Sequence, residues 1–168
     1  MSDQVLPSTL INNFSKEYYL KLPPSFYKEA RSYLSYKELK KIQKAYTFAF
    51  YSHDGQLRQD GSKYITHPVK VAQILLDLRM DPDTICAALM HDVLEDCDVN
   101  KQNLTKLFGH DVAEIVDGVS KLGKLDITPK KENDANNLQK MMLAMSKDVR
   151  VILVKICDRL HNMRTIEH

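Results

Sequence analysis

Ala87-Ala88-Leu89-Met90-His91-Asp92-Val93-Leu94-Glu95-Asp96 is apolar at its start, then acquires a histidine and three carboxylates. With Ile85 just upstream, Ala87, Ala88, Leu89 and Met90 point all round a helical axis, which predicts a helix buried in a core and not one lying on a surface. Continued as one helix at 100° per residue, His91, Asp92, Glu95 and Asp96 fall within about 140° of arc on consecutive turns. One face would then carry four potential ligands or bases. Unpaired carboxylates are expensive to bury, so a cation or several basic side chains should converge there. The competing reading is an exposed helix end running into the loop Cys97-Asp98-Val99-Asn100. Negative charge at a helix C-terminus opposes the macrodipole and argues mildly against it.

Working outward, Asp81-Pro82 has the form of a cap and first turn for this helix. The preceding helix carries Val69, Ala72, Ile74, Leu75, Leu76 and Leu78, with Pro68 suited to its first position and His67 to its N-cap. Further upstream, Ser35-Tyr36-Lys37-Glu38 reads as a capping box for a helix of about 18 residues through Leu39, Ile42, Tyr46, Ala49, Phe50 and His53. Residues 1–34 read as a lead-in with one short helix, polar and aromatic up to Pro23-Pro24. Downstream, Leu104, Leu107 and Phe108, closed by Gly109, predict a short helix, and Val112, Ile115, Val116 and Val119 another ending near Leu122. Lys121 to Asn137 reads as a charged loop. Leu138, Met141, Met142 and Met145 then read as a helix whose methionines fill the core.

The last helix, from Lys147 or Asp148, places Val149, Ile152, Leu153, Ile156, Leu160 and Met163 on one face. Asp158, Asn162 and Thr165 form a polar stripe on another. No stop signal precedes His168, so the element reads as cut short, with partner helices missing. No segment alternates as a strand does, and the chain reads as all-α.

At 168 residues, 43% hydrophobic and 27% charged, the composition suits one soluble domain, 35–168, with its lead-in. Lys+Arg at 24 against Asp+Glu at 22 leaves no basic excess for non-specific nucleic-acid binding. Three widely spaced cysteines, Cys86, Cys97 and Cys157, read as reduced thiols, and no apolar run reaches the ~18 residues of a membrane span. A cytoplasmic protein with neither membrane nor nucleic-acid partner is expected.

The polar residues at helix ends and on the polar stripes of buried helices are His67, His91, Asp92, Glu95, Asp96, Asp158 and Asn162. Two imidazoles and two carboxylates form a mixed nitrogen and oxygen set that suits Mn²⁺, Fe²⁺ or Zn²⁺ and leaves positions for water and substrate. His53, His110, His161 and His168 are read as non-ligands, and Cys157 as a packed residue without an activated thiolate. Lys121 and Lys124 read as solvated.

The order His67, His91-Asp92, Asp158 resembles that of the HD-domain metal-dependent phosphohydrolases, whose fold is a helical bundle. Arg58, Tyr64-Ile65-Thr66-His67-Pro68, Ala87 to Asp96, Val116-Asp117-Gly118-Val119-Ser120-Lys121-Leu122 and Asp158-Arg159-Leu160-His161-Asn162-Met163-Arg164-Thr165 further resemble the hydrolase domain of the RelA/SpoT family, nearest the SpoT or bifunctional Rel type. The resemblance runs from about residue 35 to the end. It implies Mn²⁺-dependent hydrolysis of the alarmones ppGpp and pppGpp, guanosine tetra- and pentaphosphate, to GDP or GTP plus pyrophosphate, the degradative arm of the stringent response. By motif position, His67, His91, Asp92 and Asp158 would be metal ligands. Glu95 and Asp96 would assist the attacking water, and Arg58, Asn162 and Thr165 would line the nucleotide pocket. The parent chain could then carry synthetase and regulatory domains. Gln59-Asp60-Gly61-Ser62-Lys63-Tyr64 departs from many relatives, which have a basic residue after the arginine and a Ser-Gly-Glu-Pro-Tyr word. The alternatives are a silent nucleotide-binding or regulatory domain, and an HD hydrolase of another nucleotide phosphate.

Overall fold

The computed structural model describes residues 19–123, 142 and 147–165. The helices are α1 (Pro24–Arg31), α2 (Tyr36–Ser52), α3 (Thr66–Asp77), α4 (Pro82–Leu89), α5 (Val93–Asp96), α6 (Lys101–Phe108), α7 (His110–Gly123) and α8 (Val149–Thr165). Among the described residues the β-structure is an isolated bridge between Leu57 and Lys63, and no helix is long and apolar enough to cross a membrane.

The all-round apolar pattern places α4 at the centre, packed against α2, α3, α7 and α8. Thr84 through Leu89 are all buried, and the small Ala87 and Ala88 let neighbouring backbones come close. Local signals set the ends. Ser35 and Glu38 form the expected capping box on α2, the Asp81 carboxylate accepts from the N–H groups of Asp83 and Thr84, and Gly109 takes φ +94° after α6. The short helix α1 contributes Phe26 and Ala30 to the same core, with Leu22 just ahead of it.

The decisive stretch is not one helix. Helix α4 ends at Leu89, Met90 turns its N–H to the Ala87 carbonyl, and Asp92 precedes a separate short α5. The His91 ring supplies the reason: its Nδ1 lies 2.8 Å from the Ala88 carbonyl, the acceptor that residue 92 would use in a continuous helix. The shared 140° face therefore does not form. His91 is fully buried, whereas Glu95 and Asp96 are exposed.

Three further expectations shift. His67 lies inside the first turn of α3, not at its cap, because Thr66 and His67 already donate to the carbonyls of Lys63 and Tyr64 and wind the chain before Pro68. Lys121 belongs to α7 and pairs with Asp117 at 2.7 Å. On α8 the buried side is Val151, Ile152, Val154, Cys157 and Asp158, while Val149, Ile156 and Met163 are exposed. The buried side joins four apolar residues to Asp158, which meets His67 of α3 and His91 of the turn after α4. Met142 is exposed; the rest of the predicted methionine helix, and Lys124 to Asn137, lie outside the described residues.

Helices α7 and α8 approach closely at Gly118, where an added Cβ would fall 2.8 Å from Val151 Cγ2 and 3.0 Å from Cγ1. Valine has no rotational slack to yield. Gly118→Ala is therefore expected to destabilise by about 1–3 kcal/mol, read by chemical denaturation, with Val151→Ala in the same chain relieving the clash.

Candidate metal centre and adjoining cleft

The first turn of α3 supplies His67, the turn between α4 and α5 supplies His91 and Asp92, and the middle of α8 supplies Asp158. His67 Nε2 lies 3.1 Å from Asp158 Oδ1 and 3.8 Å from Asp92 Oδ2. His91 Nε2 lies 3.1 Å from Asp92 Oδ2 and 3.7 Å from Asp158 Oδ1. One ligating atom from each of His67, His91 and Asp158 lies within 4.8 Å of the others. The ring orientation of His91 fits a metal. Its Nδ1 is held by the Ala88 carbonyl, and its Nε2, buried and without a well-formed hydrogen bond, points at the carboxylates. This is a donor set that could hold a divalent ion.

Neighbouring groups hold these ligands in turn. Asp158 Oδ2 accepts from Lys155 at 2.9 Å and Oδ1 from the Asn162 amide at 2.9 Å. The Tyr64 hydroxyl lies 2.8 Å from Asp92 Oδ2 and 2.9 Å from Asp96 Oδ2, and Tyr64 stacks on the buried His53 ring at 4.4 Å. His67 Nδ1 lies 2.8 Å from His161 Nδ1. Tyr64, Lys155 and His161 were not singled out from the sequence. The signal for the last two was their spacing of three residues on either side of Asp158, one turn of the same helix.

Electrostatics follow from this packing. Burial opposes charge on His91, but Asp92 and Asp158 outweigh it and the imidazole is pushed up to about 10. Burial likewise opposes charge on the two carboxylates, yet the cationic His91 brings Asp92 down to about 2, and bonds from His67 and His91 hold Asp158 well below the carboxylate range. Burial, His67 and Arg58 lower His161 to about 4, so its ring is neutral at pH 7. Burial raises the Tyr64 phenol, and the two carboxylates raise it further. The thiols of Cys86, Cys97 and Cys157 are all raised by burial, as expected of inert side chains.

These shifts predict a pH dependence. In chelated protein, the raised His91 contributes stability that is complete below its ordinary 6.5 and is lost as pH climbs through about 10. The lowered Asp92 contributes above its ordinary 3.8 and is lost as pH falls through about 2. An incoming divalent ion must displace the His91 proton, so its affinity is expected to rise about tenfold per pH unit below that value. Calorimetry in buffers of different ionisation enthalpy reads the released proton.

Beside the ligands opens a cleft of about 540 Å³ lined by Leu57, Arg58, Gln59, Asp60, Tyr64, His67, Asp92, Asp158, Asn162 and Thr165. The three residues expected to line a nucleotide pocket meet here: Arg58 Nη2 lies 3.5 Å from Asn162 Oδ1 and 3.4 Å from Thr165 Oγ1. Such long contacts are weak. Glu95 and Asp96 are not among the lining residues. Asp96 connects to the centre through Tyr64, and Glu95 reaches toward Gly123 and Lys155, both its carboxylate and the lysine Nζ lying within 3.4 Å of where a Gly123 Cβ would stand.

The chain is similar to a guanosine-3′,5′-bis(diphosphate) 3′-pyrophosphohydrolase of Vibrio cholerae serotype O1, at 51% identity over 137 residues, 82% of this chain and 19% of that protein. It is similar to the bifunctional (p)ppGpp synthase/hydrolase SpoT of Escherichia coli K12 at 50% identity over 136 residues, 81% of this chain and 19% of that one. This chain thus spans about a fifth of the length of these curated relatives. Among solved structures, a metazoan ortholog of SpoT that hydrolyses ppGpp matches with a TM-score of 0.60 and 28% identity, over 80% of this chain and 72% of that one. The HD domain model matches residues 45–168, a span that contains His67, His91, Asp92 and Asp158. On that match, over most of its length, the chain belongs to the HD-domain family.

Proposed function

We propose that this chain is the Mn²⁺-dependent hydrolase domain of a cytoplasmic alarmone-degrading protein, releasing pyrophosphate from the ribose 3′ position of ppGpp and pppGpp to leave GDP or GTP. The observation that carries this reading is the juxtaposition of the His67, His91, Asp92 and Asp158 cluster with the Arg58, Asn162 and Thr165 side of one cleft. About 50% identity to proteins named for this activity supports it. In the longer protein, synthetase and regulatory domains would accompany this one. Neither membrane nor nucleic acid is a partner of this domain.

His67, His91, Asp92 and Asp158 would hold the ion. When bound, a divalent ion acidifies water and offsets the charge of the 3′-diphosphate. The protein's own groups do the rest. Arg58 exchanges its two weak contacts for phosphate oxygens, to which it offers a planar donor fork. Asn162 is anchored by donating its amide to Asp158, which directs its Oδ1 toward the cleft as an acceptor for a ribose hydroxyl. Glu95, four residues beyond His91 and outside the residues that line the cleft, would turn from the Lys155 side to accept the proton of the attacking water, with Asp96, tied to the centre through Tyr64, supporting it. Tyr64 keeps Asp92 oriented.

Glu95→Gln is expected to lower kcat by about 10²- to 10⁴-fold, the range of a lost general base, with Mn²⁺ affinity unchanged. Stopped-assay kinetics together with ion binding check this. The substrate assignment is tested by comparing turnover of ppGpp and pppGpp with that of nucleoside 2′- and 3′-monophosphates in saturating Mn²⁺. Pyrophosphate from the first pair alone is the expected result. Preference for the monophosphates would make this an HD hydrolase of another class, and binding without turnover a regulatory domain.

A further inference from the structure

We propose that His161 is a positioning residue of the metal centre: its ring accepts the Nδ1 proton of His67 and thereby keeps the Nε2 lone pair of His67 directed at the ion. The inference rests on the metal reading above. His67 and His91 both turn Nε2 toward Asp158 and Asp92, so each needs its proton on Nδ1 when it ligates, and each Nδ1 needs an acceptor.

For His91 that acceptor is the Ala88 carbonyl, 2.8 Å away. For His67, only 3% exposed, the Nδ1 meets His161 Nδ1 at the same 2.8 Å, the rings tilted by 46° with centroids 4.9 Å apart. Two nitrogens at this distance share one proton. If His67 presents a lone pair at Nε2, the proton belongs to His67 Nδ1, and His161 carries its own on Nε2. A carbonyl can only accept, whereas an imidazole can accept or donate. The His67 arm therefore depends on the tautomer of its neighbour in a way that the His91 arm does not. His161 also stands one turn after Asp158 on α8, so one rigid element supplies a ligand directly and braces another from the far side. Asn162 and Thr165 follow on that element and line the cleft.

The test compares wild type, His161→Leu and His161→Asn in the full chain, reading Mn²⁺ uptake from the loss of the free-ion electron paramagnetic resonance signal at neutral pH. The Asn carbonyl branches where the imidazole Nδ1 stands and can accept; Leu fills similar space and cannot. His161→Leu is expected to weaken Mn²⁺ binding by about 10- to 100-fold, with His161→Asn recovering most of the loss and the chelated proteins melting alike. Equal binding by Leu and wild type, or equal weakening by Leu and Asn, overturns the proposal. A second reading needs no variant: in Zn²⁺-loaded wild type, nitrogen-15 spectra of the imidazoles should show His67 protonated at Nδ1 and His161 at Nε2, and the opposite tautomers overturn it. If wild type takes up neither ion, the metal reading itself fails and this inference falls with it, an outcome distinct from retained uptake in His161→Leu.

Discussion

Replacing His91 by Ala is expected to remove ion binding and hydrolysis together, with turnover of ppGpp falling on the order of 10³-fold or more because several kcal/mol of charge stabilisation and water activation go with the ion. The effect is large because His91 is fully buried and its Nε2 has no other well-formed partner. The same substitution leaves a cavity beside Ala88 and Asp92, so chelated His91→Ala protein should also melt lower than chelated wild type, by an amount corresponding to about 2–5 kcal/mol. Paired measurements of Mn²⁺ binding and thermal unfolding separate the two effects. An ion-binding loss that excess Mn²⁺ cannot reverse, in a protein that is still folded, is the expected signature.

The second large effect is expected at Asp158. This carboxylate lies close to His67 and His91 and accepts from Lys155 and Asn162, and its side chain is 8% exposed. Asp158→Asn keeps the shape and removes the charge. It leaves the Lys155 ammonium without its Asp158 partner and the cationic His91 with Asp92 alone, and the cost of breaking such a buried pair is about 3–5 kcal/mol. Denaturant titration of the chelated proteins should show this loss near neutral pH. The gap should close in acid, where the wild-type carboxylate also becomes neutral: a group held below its ordinary pKa contributes stability above that value and loses it as pH falls. Unlike Glu95→Gln, Asp158→Asn should also abolish Mn²⁺ binding.

The contrast between Asp158 and Glu95 shows what the sequence disclosed and what it did not. The all-round apolar run Ile85 to Met90 identified the central helix because burial on every side leaves a compositional trace, and Ser35-Glu38 and Asp81-Pro82 marked helix starts because the Ser35 and Asp81 side chains accept from the backbone of their own first turns. The polar residues at helix ends and on polar stripes likewise pointed to His67, His91, Asp92 and Asp158, which the fold does bring together.

Projection along a regular helix failed where a side chain captured the backbone. His91 takes the Ala88 carbonyl, the helix breaks, and Glu95 turns toward Lys155, while Asp96 stays tied to Asp92 through the Tyr64 hydroxyl. No periodicity encodes that bond. On α8 the apolar face read from the sequence is not the buried one: the helix buries Val151, Ile152, Val154 and Cys157 together with Asp158, and Val149, Ile156 and Met163 stay outside. His161 reads from the sequence as a non-ligand, and its interval of three from Asp158 is the relation that sets it on the same side of α8, against His67.

Pyrophosphate released from ppGpp by the wild-type chain, followed with Mn²⁺ present and after chelation, tests whether this domain is a metal-dependent alarmone hydrolase. Stoichiometric GDP and pyrophosphate with Mn²⁺, none after chelation, and recovery when Mn²⁺ is restored are the expected results. Folded, Mn²⁺-loaded protein that leaves ppGpp intact, or hydrolysis that continues unchanged in the chelator, would contradict the assignment.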